Sequence, residues 1–508
     1  MTKAVALMAT IALSGGFVVL GAEENPPTGA SRAWTSTDPV VTKARELVEA
    51  GSLKQAEAVL AEAATADDAE GNLAREEMVE TIRRIRREYA LTLDGLVAKL
   101  ARSIPDVTAA DVERWRADGG VQYRQLDGEI CYFIREPSNI FRFCPEAKRR
   151  RDEHAAKDAP DKPASLTPEQ KLHEHLKQVI AAAKETGKVE VVPIRHRVTY
   201  KLTVKPNRPG AKAGSLLRCW LPYPQEYRQQ KTVRLIGTSP PNYTMAPNAM
   251  QDGRLTGPRH RTLYFEQRIA DPAVPSAFEA QFEYVSYAYY PKLDDADAKA
   301  DVSKVDPAYL AERPPHIAFS PELRATVTRV VADERNPLAK ARRIFHFISD
   351  EIRYCAEQEY PIVPSFTHEA LATKRGDCGI QAALFIAMCR AAGIPARWQS
   401  GWESKPDEWN MHDWAEMYIE PWGWLPVDPS YGVQKSDDPE VREFYLGHQD
   451  AYRMIVNLDY GWPLTPPKPS LRSEPADFQR GEVELDGRNL YFDDWTYDMT
   501  FECQPVGG

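Results

Sequence analysis

The sequence predicts an α+β protein of several domains: a helical amino-terminal region, an antiparallel β-sandwich, and a closing module that mixes helices with strands. Three observations carry this. The chain has 508 residues, more than one core usually organises. Its apolar spacing is helical up to about residue 188, alternates with period two over 189–292, and becomes mixed from residue 320 onward. Apolar content of 43% and aromatic content of 10% belong to folded domains rather than to a disordered chain.

At the amino terminus, an early lysine precedes an apolar run over residues 4–20, followed by Gly21 and Ala22. That is a signal-peptide pattern, and residues 1–22 are expected to direct export to the periplasm or the cell exterior. The run is marginal for a bilayer span, which needs about 20 apolar residues. Residues 23–37, rich in Pro, Thr, Ser and Gly, read as a linker.

Residues 38–145 read as helices closed by a small hairpin. The stretch "VTKARELVEAGSLKQAEAVLAEAA" places Gly51 between two short helices, and Asp127-Gly128 in "VQYRQLDGEICYFI" suits a tight turn. Residues 146–188 combine a charged linker with a helix, whose start is marked by the capping box Thr167-Pro168-Glu169-Gln170 and whose end by Gly187. Over 189–292 five strand-like runs separated by proline, glycine and asparagine turns predict the sandwich. An acidic linker, 293–319, leads to the last domain, 320–508. Ser320-Pro321 and Asn336-Pro337 start two helices there, and two terminal strands complete a sheet.

The 64 basic and 74 acidic residues give a net charge of −10, which argues against nucleic acid as a partner. Seven cysteines, an odd number, imply at least one free thiol or an intermolecular bond in an exported chain. Cys131 and Cys144 flank a short stretch and are a candidate pair. No paired C-x-x-C or H-x-x-x-H spacing and no acidic calcium loop is present, so no metal or other cofactor is expected.

The chemistry concentrates in "RGDCGIQAALFIAMCRAAGIPAR". Asp377 can cap the helix whose first turn holds Cys378, where free N–H groups and the helix dipole favour a thiolate. Downstream, "NMHDWAEMYIE" is an alternating strand on which His412, Trp414, Glu416 and Tyr418 share a face, and "WLPVDPSYG" places Asp428 at the end of the next strand. Cys378, His412 and Asp428 are therefore the candidate catalytic residues: nucleophile, base and orienting carboxylate. The hairpin sets a test. Centred on residue 420 it puts His412 directly opposite Asp428. A tight turn around Pro421 and Trp422 shifts the register by three residues, about 10 Å, and puts the side chains on opposite faces unless a bulge or a wider turn intervenes.

Together with the helix ending "DEIRYC", these motifs resemble the transglutaminase-like superfamily, over about residues 320–435. The resemblance implies a papain-type thiol core in which Cys378 attacks an amide carbonyl, His412 exchanges protons and Asp428 holds the imidazole. A thioester then passes to an amine or to water. It also implies a second oxyanion donor, for which Tyr354, Gln358 and Trp402 are candidates. The expected partner is a protein or peptide substrate, with association with the cell envelope. The competing expectation is a catalytically inactive envelope scaffold or binding protein carrying the same domain.

Overall fold

The computed structural model describes residues 31–63, 69–157, 166–251, 254–406 and 408–506. The expected signal peptide and the first part of the linker lie outside them. The fold is α+β and multidomain, with helices at the amino end, a two-sheet sandwich and a mixed core. No helix among the described residues is long and apolar enough to cross a membrane.

Local signals do what their chemistry dictates. The helices Pro39–Glu49 and Leu53–Glu62 meet at Gly51, whose φ of 75° only glycine adopts freely and whose added Cβ would lie 2.2 Å from the Gln125 carbonyl oxygen. Asp127 and Gly128, at φ 51° and 90°, turn the hairpin Tyr123–Leu126 into Glu129–Tyr132. Thr167 and Gln170 form a reciprocal capping box on Pro168–Thr186, and Gly187 closes that helix in the left-handed region. The linker 23–37 is not loose throughout: Arg32–Thr35 is helical, and the Trp34 indole donates to the Pro361 carbonyl at 2.7 Å. All seven cysteines are free thiols, so Cys131 and Cys144 do not pair.

The sandwich comprises a four-stranded sheet, in the order Trp495–Pro505, Glu190–Val204, Ser276–Tyr289, Gln230–Ser239, and a five-stranded sheet, in the order Arg488–Leu490, Glu482–Leu485, Leu216–Pro222, Thr262–Arg268, Thr244–Met245. The terminal strands thus belong to the sandwich and not to the sheet of the domain expected over 320–508. Glu482–Leu485 pairs with Leu216–Pro222, and Trp495–Pro505 pairs with Glu190–Val204 along its whole length. Alternation alone fixes which face of a strand is buried, not which sheet it joins.

The mixed core holds an antiparallel sheet in the order Gly423–Val427, Glu408–Ile419, Ala396–Lys405, Arg453–Asn457. The helix Cys378–Ala391 lies on one face, buried from Cys378 through Arg390, as expected for a helix that is apolar all round. Its Ile380, Leu384, Phe385 and Met388 share a cluster with Ala415, Met417 and Ile419 of the strand beneath. Each such fully buried aliphatic side chain contributes about 1.5–3 kcal/mol.

Candidate active site

Cys378 stands at the first turn of its helix, capped as expected: the Asp377 carboxylate accepts from the Ile380 N–H at 3.1 Å. Gly379 follows because nothing larger fits. A Cβ there would sit 2.0 Å from the Tyr360 hydroxyl and 2.8 Å from the Trp398 ring. The short strand Arg353–Tyr354, after the helix Pro337–Glu351, pairs in parallel with Arg375–Gly376 and brings Tyr354 beside the cysteine.

The hairpin is centred on Pro421, with Ile419 opposite Gly423 and Ala415 opposite Val427. Relative to the centre at 420 the register slips by two residues, an even number, so His412 and Asp428 stay on one face. His412 Nε2 lies 2.7 Å from Asp428 Oδ2, and both residues are buried. The other carboxylate oxygen, Oδ1, accepts from the Ser430 N–H at 3.2 Å, the Ser430 hydroxyl at 2.8 Å and the Tyr431 N–H at 3.1 Å. One oxygen thus shapes the turn while the other holds the imidazole. Arg453 Nη1 approaches Oδ2 at 2.8 Å as a charge contact, without hydrogen-bond alignment. Burial alone would raise the Asp428 pKa, but the charges of His412 and Arg453 outweigh it and hold the carboxyl well below the usual range. His412 Nδ1 carries no hydrogen bond among the described residues.

The cysteine meets a different residue. Its Sγ lies 3.5 Å from Oδ2 of Asp413, the neighbour of His412 that projects to the helix side of the strand. No hydrogen bond joins Cys378 to His412 among the described residues. The surroundings of the sulfur oppose its ionisation. Burial first, then the Asp413 and Asp377 carboxylates, push the thiol well above its ordinary value.

Cys378 opens on a cleft of about 300 Å³, lined among others by Tyr354, Tyr360, Asp377, Asp413, Asp477 and Arg480. It is rich in carboxyl groups. Burial raises Glu357 to about 8 and Glu474 to about 7, the latter against the pull of Arg480. Burial likewise raises Asp477 to about 6, again opposed by Arg480. Of the three candidate oxyanion donors, Trp402 is spent: its indole donates to the Gln479 carbonyl at 2.9 Å inside the sandwich core. Gln358 has its oxygen taken by Arg124 and Tyr89, at 2.9 and 3.2 Å. Tyr354 lines the cleft with its hydroxyl unbonded among the described residues, and the nearby sulfur, followed by burial, raises that hydroxyl's pKa.

Sequence reasoning missed Asp413, Tyr360 and Gln479. Asp413 left one trace: it is the lone charged residue on a strand face otherwise made of Trp409, Met411, Ala415, Met417 and Ile419. No group of His, Cys, Asp and Glu among the described residues has the arrangement to hold a metal ion.

This helix, sheet and cleft define a class. Residues 324–429 match the family model of the transglutaminase-like superfamily, and the chain carries a domain of that superfamily. An uncharacterized protein of Haemophilus influenzae is 22% identical over 300 residues, covering 50% of this chain and 75% of that one. Among solved structures, a candidate cysteine protease from Cytophaga hutchinsonii is 15% identical with a TM-score of 0.41, covering 62% of this chain and 92% of that one. The periplasmic domain of TgpA from Pseudomonas aeruginosa is 18% identical with a TM-score of 0.26, covering 57% of this chain and 99% of that one.

Proposed function

We propose that the protein is an exported thiol enzyme that cleaves or transfers at amide bonds of proteins or peptides, with Cys378 as nucleophile, His412 as base and Asp428 as the group that orients the imidazole. The observation that carries this reading is the buried His412–Asp428 hydrogen bond, on the strand whose next residue touches a cysteine at a helix start. The leader-like run over residues 4–20 supports export.

With burial and the neighbouring carboxylates raising the thiol's pKa, this reading has the base act during attack instead of through a standing ion pair. With Nε2 engaged by Asp428, Nδ1 is the nitrogen left to take the thiol proton. Gly423–Val427 pairs with the His412 strand only as far as Ala415, so no neighbouring strand walls off the imidazole on that side. For the two to meet, the sulfur must leave Asp413 and the imidazole must swing round the strand edge, because His412 projects to the opposite face from Asp413. The thiolate attacks the amide carbonyl, and the oxyanion is held by N–H groups at the helix start and by the Tyr354 hydroxyl. The C–N bond then breaks as His412 returns the proton to the departing amine or ammonia. Water or an amine consumes the thioester, giving hydrolysis or a crosslink.

The test is alkylation of Cys378 by iodoacetamide near neutral pH, followed by mass spectrometry, in the wild type and in His412→Ala. Selective labelling that slows at least tenfold in the variant supports the enzyme. Labelling no faster than at other free thiols, and indifferent to His412, supports the inactive scaffold. A glutamine-containing protein incubated with a fluorescent amine then separates crosslinking from hydrolysis, by label incorporation against new peptide ends.

A further inference from the structure

Hydrogen-bond accounting around Asp413 assigns it a proton. Gln479 Nε2 lies 2.7 Å from Asp413 Oδ1 and 3.0 Å from the His412 carbonyl oxygen. Both partners need an N–H, so the amide is oriented and Oδ1 is an acceptor. The Tyr360 hydroxyl owns one proton but touches two carboxyl oxygens, Asp377 Oδ1 at 3.0 Å and Asp413 Oδ2 at 3.1 Å. Asp377 Oδ1 already accepts the capping N–H of Ile380, which makes it the acceptor of the Tyr360 proton as well. The remaining contact, Tyr360 with Asp413, is then satisfied by a hydrogen on Asp413 Oδ2. That same oxygen lies 3.5 Å from Cys378 Sγ.

We infer that Asp413 is a neutral carboxylic acid whose Oδ2 proton serves the Cys378 sulfur, a further catalytic residue for the thiol chemistry proposed above, on which this inference rests. At rest the proton is shared with Tyr360. When the thiol gives its own proton to His412, Asp413 keeps its proton and turns it toward the thiolate, stabilising the new charge through a hydrogen bond. No bond to carbon changes in this step.

The surroundings favour the neutral form. Asp377 and Cys378 face Asp413 from the helix start and Tyr360 from the turn Tyr360–Ile362. Asp477 and Gln479 face it from the segment before Glu482–Leu485, where Glu474 and Arg480 pair at 2.8 Å. His412 adjoins it on the strand, and Asp428 stands on that imidazole. Carboxyl groups outnumber cations in this set, and burial removes water's help in ionising them all. The direction agrees: burial first, then Asp477 and Asp377, raise the Asp413 pKa well above normal. The competing assignment, an ionised Asp413 accepting from both Tyr360 and Cys378, demands a proton on the capping carboxyl of Asp377.

Asparagine separates the two. Its Oδ1 can accept from Gln479 while its Nδ2 donates toward Tyr360 and the sulfur, reproducing a neutral acid but not a carboxylate. In the full chain, Cys378 alkylation is followed from pH 5 to 10 in the wild type, Asp413→Asn and Asp413→Ala. Asp413→Asn is expected to label within about threefold of wild type at pH 7. Asp413→Ala, lacking the donor, is expected to fall about tenfold at pH 7. The inference is overturned if Asp413→Asn is as slow as Asp413→Ala, or if it alone loses a cooperative melt. As a second measurement, the infrared band of a neutral carboxylic acid at pH 7 is expected to weaken in Asp413→Asn, and an unchanged band counts equally against it. The wild-type response to His412→Ala tests the thiol-enzyme reading independently of these arms.

Discussion

Asp413 and Glu416 are buried carboxyls three residues apart on one strand, and they live under opposite electrostatic regimes. Glu416, on the far side of the sheet from the Cys378 helix, meets Arg397 at 2.8 Å, Arg228 at 2.6 Å and the Tyr227 hydroxyl at 3.0 Å. Its charge is matched and every oxygen is bonded. Asp413 faces other acids, a tyrosine and a thiol, with its charge unmatched. Balanced burial makes a structural cluster, whereas unbalanced burial makes a place where protons are exchanged.

The predictions test that division. Cys378→Ala is expected to abolish activity, by about 10³–10⁶-fold, with the melting temperature nearly unchanged, because the sulfur sits at a cleft and supports little packing. Asp428→Asn is next, at about 10⁴-fold in kcat, with a stability loss of about 3 kcal/mol because buried Arg453 loses one of its two acidic partners. Denaturant melts and kcat on the folded fraction measure the two separately. Glu416→Ala is expected to invert the pattern, destabilising by about 3–5 kcal/mol while the folded fraction keeps its turnover. A variant that stays stable but loses activity would break the comparison.

The smallest effect concerns Glu136, buried with both oxygens unpaired, which burial raises to about 8 despite Arg375. The folded chain keeps a proton there that the unfolded chain releases from about pH 4.5 upward. Stability therefore falls as pH rises toward 8 and stays lower above it. Glu136→Gln removes that loss. It is expected to match the wild type at pH 4 and to be more stable by several kcal/mol at pH 9 in urea melts.

Much of this was legible in the sequence, and the reasons are local. The caps at Asn336, Ser320, Thr167 and Asp377 sit where side-chain chemistry puts them. The ordering of Cys378, His412 and Asp428 was visible, but their mutual geometry was not. The hairpin register depended on a turn centred on Pro421, and the thiol's own partner depended on Asp413 projecting from the opposite face to His412. The terminal strands were recognised as strands, yet their place in the sandwich is set by long-range pairing that periodicity does not encode. The amino-terminal region gave no hint of its destination, because its contacts with the core are made by scattered arginine, asparagine, tyrosine and tryptophan side chains and by Ile362 packed into its apolar cluster.

Those contacts have a consequence for how the protein is assembled. Arg135 donates to the Glu357 carbonyl, and Asn139 exchanges two 2.8 Å hydrogen bonds with the Ala356 backbone. Arg84 reaches Glu359 at 2.9 Å and the Ser473 carbonyl at 3.1 Å. With Trp34 on Pro361, they clasp both ends of the segment that presents Tyr360. Excising residues 324–429 would therefore keep the sulfur and the imidazole but release the rim around them. The cleft beside Cys378 would then lose part of its wall.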